Sequence, residues 1–351
     1  MNKNPVLDNT ASPRFREDDF EIRGIPADVA FAAEGAIPRR RSVLSQMLRK
    51  PSLVLSLLIL LLILLMAVVG PMVSGYTYDK QKIQNQNLPP RIPYLEDLGL
   101  FDGSTTAYRA GELVEVNPYE ENGREDTYYW FGTDELGRDI FTRVCVGTRI
   151  SLYVALVAVF VDFCFGLSYG LISGYFGGKL DLFLQRICEV ISGIPTLVIV
   201  TLLMLVLEPG LGTITLALAI TGWVGMSKIA RAQTLKLKEQ EFVLAARTMG
   251  AGSFRIMFRE ILPNILGPVL TASMLHIPNA IFVEAFLAFV GLGVPVPLAS
   301  LGTLISSSFR MFTIYPYMIV SPLVVLGLLM LAFHLLADGL KDIFDPARAD
   351  R

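Results

Sequence analysis

A chain of 351 residues with 53% hydrophobic and only 18% charged residues, and a mean hydropathy of +0.53, is far more apolar than a soluble domain of its length requires. The net charge of −2 hides a strong segregation of charge along the chain, and no nucleic-acid partner is expected. Cys145, Cys164 and Cys188 lack metal-ligand spacing, so neither a disulfide framework nor a metal site is expected.

A hydrocarbon core about 30 Å thick takes roughly 20 helical residues to cross, and six charge-poor runs reach that scale. Residues 1–51 precede them as a polar N-terminal segment whose PRFREDDFEIRG stretch matches no motif. The first run, Ser52 to Tyr78, has no charged residue; its span is placed at 52–74, too far along the chain for a cleavable signal peptide. Residues 75–148 form a turn-rich insert with Pro89-Pro90, Asp102-Gly103 and Asn122-Gly123, read as a small ordered cap. A core domain over 149–337 holds the other five runs: Ile150 to Phe176, about Val190 to Leu207, Leu211 to about Ser227, Ile265 to Val290, and Tyr317 to Ala337. Residues 338–351 make a short tail. The fold class read from this pattern is an all-α membrane protein with six transmembrane helices.

Orientation follows from Lys and Arg near the span ends. Arg39, Arg40, Arg41, Arg49 and Lys50 precede the first span, which puts both termini in the cytoplasm after six crossings. The loop 228–263, with seven basic and three acidic residues, is then cytoplasmic, and the insert, with seven basic and thirteen acidic, lies outside. Within that loop Glu241 to Met249 reads as a short helix with adjacent Ala245 and Ala246 giving a face almost without side chains. Gly250 and Gly252 break it, Ser253 can start a second helix and Pro263 enters the fifth span. The residues leave two readings open: a solvated connector, or a stiff element that sits in another protein's groove.

Glu241, Ala245, Ala246, Gly250, Ile256, Leu262 and Pro263 resemble the EAA loop of binding-protein-dependent ABC importer permeases. FGTDELGRDIFTRVCVGTRISL (131–152), EAFLAFVGLGVPVP (284–297), SLGTLI (300–305) and the tail HLLADGLKDIFDP (334–346) resemble the C-type permease of the oligopeptide and dipeptide branch, which also includes nickel importers. Glu260 and His334 depart from the residues many relatives carry there. The resemblance implies the type I importer architecture: a second homologous permease completing the path, two ATPase subunits holding ATP and Mg, an extracytoplasmic substrate-binding protein, and a bacterial inner membrane. It implies no catalytic role for this chain, no cofactor of its own, and ATPase coupling through Glu241, Leu244, Ala245, Ala246, Arg247, Met249, Gly250 and Ser253. No G-x-x-x-x-G-K-[ST] phosphate loop occurs in the sequence. Oligopeptides are the favoured cargo, with dipeptides or nickel as alternatives.

Gly166, Gly170 and Gly174 recur every four residues and make a smooth face for helix packing. Asp162, His276 and Glu284 are ionisable groups well inside spans. Glu284, with His276 two turns earlier, either borders the path or gate or ties helices together; Asp162 is either functional or paired with a polar neighbour. The glycine- and proline-rich loop Gly291 to Gly302 is expected to make a re-entrant turn near the outer gate, with Ser300 in it and Thr303 just after it as accessible pathway or gate residues. The rival class is an ion-gradient-driven secondary transporter, which calls for paired ionisable residues at the midplane and inverted repeats.

Overall fold

The computed structural model describes residues 50–344 except Leu100, Ala110, Gly111 and Glu125. Nearly all of the N-terminal segment read over 1–51, and the end of the 338–351 tail, lie outside the described residues.

α1 (Pro51–Val73) buries Leu53, Ser56, Ile63, Ala67 and Gly70 along one face and leaves the rest of its apolar surface uncovered. That face packs on the helix α3 (Ile140–Phe176) and on the last helix of the chain. Between them, residues 74–139 carry the antiparallel hairpin β1 (Thr105–Arg109) and β2 (Glu112–Val116) and the short α2 (Pro118–Glu121). The insert thus adds one two-stranded sheet to an otherwise helical chain. Its core is aromatic, with Leu88, Tyr119 and Tyr129 buried and Tyr76 stacked on Tyr129 at 4.6 Å. The glycines of the FGTDELGRDIF stretch are required: Gly137 has φ +69°, and a Cβ there would lie 1.8 Å from the Lys82 carbonyl oxygen.

α3 begins ten residues before the expected span. Asp139 caps it, accepting from the Thr142 backbone N–H at 2.8 Å. α4 (Gly178–Ser192) and α5 (Thr196–Val206) follow. The third expected span is thus broken: the two helices meet at 78° across Gly193-Ile194-Pro195, where proline cannot continue the ladder. α6 (Leu211–Leu237) runs ten residues past the expected end of the fourth span. Arg231 on that extension pairs with Asp181 of α4 through two contacts of 2.6 Å, and Ser173 of α3 also donates to Asp181.

α7 (Glu241–Thr248) and α8 (Ser253–Arg255) follow. A turn of π-helix, Ile256–Ile261, leads directly into α9 (Leu262–Phe289). Pro263 sits in the first turn of α9, as expected, but the helix is entered from the π turn rather than from a loop; proline offers no N–H to that preceding turn. α10 (Leu301–Arg310) and α11 (Tyr317–Phe344) complete the bundle. Among the described residues five helices are long and apolar enough to cross a membrane, or six if the bent α4–α5 pair forms one span.

Candidate functional site

Two regions, at opposite ends of α3, carry the residues singled out from the sequence.

At the end formed by the C-termini of α3 and α6, the hairpin α7–α8 is fixed by its own sequence. Gly250 adopts φ +81°. The Ala251 N–H reaches the Ala246 carbonyl and the Gly250 N–H the Arg247 carbonyl, both at 3.0 Å, which is the Schellman arrangement that glycine favours. Val243 and Ala246 are buried against Ile256, Met257 and Ile261 in a core that also takes Leu171 and Met226. This corrects the expectation of a bare Ala245-Ala246 face: Ala246 is spent on the chain's own packing, and only Ala245 of the pair is exposed. Glu241, Leu244, Arg247, Gly250 and Ser253 are also exposed, and Met249 is 81% exposed. Sequence reading missed Phe242, Phe254 and Phe258, which enlarge this apolar surface; Phe254 and Phe258 stack in parallel with centroids 6.3 Å apart. Their i, i+4 spacing was the available signal.

The α3–α6 seam leads to that hairpin. A Cβ on Gly166 would lie 2.7 Å from Met226 Cβ, one on Gly170 2.3 Å from the Ser227 carbonyl oxygen, and one on Gly174 2.8 Å from Thr234 Cβ. All three glycines set the two helices in near backbone contact. Beside the seam, His276 Nδ1 of α9 lies 3.9 Å from Asp162 Oδ2 of α3, and a Cβ on Gly222 of α6 would fall 2.0 Å from that same oxygen. His276 therefore faces Asp162, not Glu284.

Glu284 lies nearer the other end, 1% exposed. It accepts from the Ser151 hydroxyl at 3.1 Å, and that hydroxyl in turn accepts the Leu301 N–H at 3.1 Å. One serine of α3 thereby joins α9 to the start of α10, so Glu284 ties helices through one carboxylate oxygen while the other has no hydrogen-bond partner among the described residues. Ser300 is fully buried and caps α10: its side chain accepts the Thr303 N–H at 3.1 Å while its own N–H donates to Thr303 Oγ1 at 2.8 Å. This corrects its reading as an accessible gate residue. Thr303 alone of the two, with Arg138, Arg143, Phe289 and Arg310, lines a cavity of about 690 Å³ beside the insert. The loop between α9 and α10 buries Val294, Ala299 and Ser300 but leaves Gly291 and Pro295 to Pro297 exposed; only at the start of α10 is the packing tight, where a Cβ on Gly302 would fall 2.4 Å from Ala285 Cα.

A family model described as the binding-protein-dependent transport system inner membrane component matches residues 166–350, and one described as the N-terminal transmembrane domain of oligopeptide transport permease C matches residues 39–90. The dipeptide transport system permease protein DppC of Bacillus subtilis (strain 168) is 40% identical over 301 residues, 85% of this chain and 83% of that protein. The oligopeptide transport system permease protein OppC of the same organism is 40% identical over 84% of this chain and 85% of its own length. Among solved structures, an inward-facing form of the MetNI methionine ABC transporter gives a TM-score of 0.49 at 18% identity, covering 57% of this chain and 96% of that one. The chain belongs to the binding-protein-dependent transport system inner membrane component family, as a multi-pass inner-membrane permease subunit of an ABC importer.

Proposed function

We propose that this permease forms one half of an ATP-driven path for peptides, and that the α7–α8 hairpin lies on the cytoplasmic side, seated in an ATPase subunit. One observation carries the reading. The hairpin is anchored inward by Val243 and Ala246 while Phe242, Leu244 and Met249 stand uncovered outside any candidate span, with Phe254 uncovered at the very start of the next one. A solvated connector gains nothing from such side chains, whereas a groove that excludes water from them would be stabilised by roughly 25 cal/mol per Å² of apolar surface covered. In this reading ATP and Mg²⁺ belong to two ATPase subunits, a second permease completes the path, and an extracytoplasmic binding protein delivers cargo. Peptide cargo is supported by the two relatives named for dipeptide and oligopeptide transport.

The test is uptake by proteoliposomes containing the permease pair, the ATPases and the binding protein. Labelled peptide should enter only with ATP on the ATPase side. Nickel entering in its place would overturn the cargo. Uptake by this chain alone, driven by an ion gradient, would overturn the importer mechanism.

A further inference from the structure

We propose that the cavity beside the insert is a subsite for the carboxylate end of a peptide in transit; this rests on the peptide reading above. The cavity, about 690 Å³, lies between the turn 134–138, the end of α9 with the loop that follows, and α10. Its volume is that of a small-molecule site.

Five charged residues line it: Arg138, Arg143 and Arg310 against Asp134 and Glu135. Asp134 is fully engaged from its own turn. It accepts the backbone N–H groups of Leu136 and Arg138 at 2.9 Å each, and Arg138 Nε at 2.7 Å. Arg143 is left under-satisfied. It is 6% exposed, one of its terminal nitrogens donates to the Tyr78 carbonyl at 3.2 Å, and its Nε stands 3.5 Å from Asp134 without a hydrogen bond. Arg143 thus brings a buried positive charge, only loosely paired with Asp134, to the cavity wall.

Arg310, in the last turn of α10, is exposed and has no hydrogen bond or ion pair among the described residues. Its position at a helix C-terminus also suits the helix dipole, which by itself calls for no ligand. The distinguishing feature is that Arg310 and the buried Arg143 share one cavity whose charged lining is three cations to two anions, Glu135 and an Asp134 already held by its own turn. Next to them Phe289 and Phe309, in edge contact at 5.3 Å, and Val290 supply an apolar wall. A planar acceptor beside an apolar side chain is the chemistry of a peptide's last residue, its carboxylate received by arginine and its side chain by the phenyl rings.

The complete importer in proteoliposomes, with saturating binding protein, tests this. One short peptide is supplied as free acid and as C-terminal amide. Arg310→Gln should lower uptake of the free acid about tenfold, the worth of one charge-assisted hydrogen bond, and leave the amide unchanged. The binding protein is the same for both permeases, so its own preference cancels in the ratio of variant to wild type. Arg310→Lys should restore most of the free-acid uptake, which keeps the test decisive where the amide is a poor cargo. Equal loss for both peptides, no loss for either, or no rescue by lysine would overturn the subsite alone. Failure of the wild-type importer to take up either peptide would overturn the peptide reading, and this proposal with it.

Discussion

Replacing Gly170 by alanine adds one carbon at the tightest of the three α3 glycines on the α3–α6 seam. That carbon would sit 2.3 Å from the Ser227 carbonyl oxygen and 2.7 Å from Ala230 Cβ, where ordinary contact begins at 3.4 Å. Neither obstacle can rotate away, since one is backbone and the other is fixed to it, so the helices must part by about 1 Å at this level. Overpacking of this kind costs roughly 1–3 kcal/mol. The flanking contacts at Gly166 and Gly174 are nearly as close and loosen with it, forfeiting part of their dispersion attraction. In a thermal melt of the detergent-purified complex the midpoint should fall by roughly 2–12 °C, and Gly170→Leu should not assemble. Because α6 ends four residues before α7 begins, peptide-stimulated ATP hydrolysis should fall as well. A Gly170→Ala complex that melts with the wild type would show that the seam widens freely, and the argument from backbone contact would be wrong.

Three further expectations follow from named contacts. Ser151→Ala should destabilise the complex by about 1–3 kcal/mol in chemical denaturation, because it unpairs both Glu284 and the Leu301 N–H, whereas Glu284→Gln should be milder; the reverse order would return Glu284 to a functional role. The insert should loosen in acid. The Tyr128 hydroxyl and the Arg91 guanidinium hold the Glu96 carboxyl below its ordinary range, so its contribution is complete above the unfolded value, about pH 4.3, and is lost as pH falls through the lower folded value. Near-ultraviolet circular dichroism of the tyrosines between pH 6 and 3 should report that loss, and Glu96→Gln should reduce the pH dependence, leaving the part that Asp102, lowered by Ser104, contributes. Gly250→Val should cost about 1 kcal/mol or more by forcing a β-branched residue to φ +81°, exposing the hairpin to limited proteolysis while the permease pair still assembles.

The spans were legible because twenty uncharged residues have few alternatives in water, and the coupling stretch because its glycines and prolines punctuate it. Helix ends were not. The charged start of α3 fell outside the expected span, yet Arg149 donates to the carbonyls of Ala67 and Val68 and is held against α1. Lys228 and Arg231 likewise seemed to end the fourth span, but Asp181 receives Arg231. A charge pattern marks the limit of a span only when the charges lack partners, and partners are set by tertiary contact. The same reason hid the inward face of α7. Val243 and Ala246 share a stripe by spacing, but only Ile256, Met257 and Ile261 decide that this stripe is the buried one. The pairing of Asp162 with His276 joins residues more than a hundred positions apart and has no local signature.

The central claim is that the exposed apolar surface of the α7–α8 hairpin docks on an ATPase and transmits its cycle. Met249→Asp tests it most directly, because that side chain is 81% exposed and its replacement disturbs none of the hairpin's own packing, unlike any substitution of Ala246. A well-packed apolar anchor at an interface is worth about 2 kcal/mol or more, so the variant should retain its partner permease, release the ATPase subunits on purification, and lose binding-protein-stimulated ATP hydrolysis and peptide uptake together. A Met249→Asp complex that keeps its ATPases and hydrolyses ATP at the wild-type stimulated rate would contradict the account.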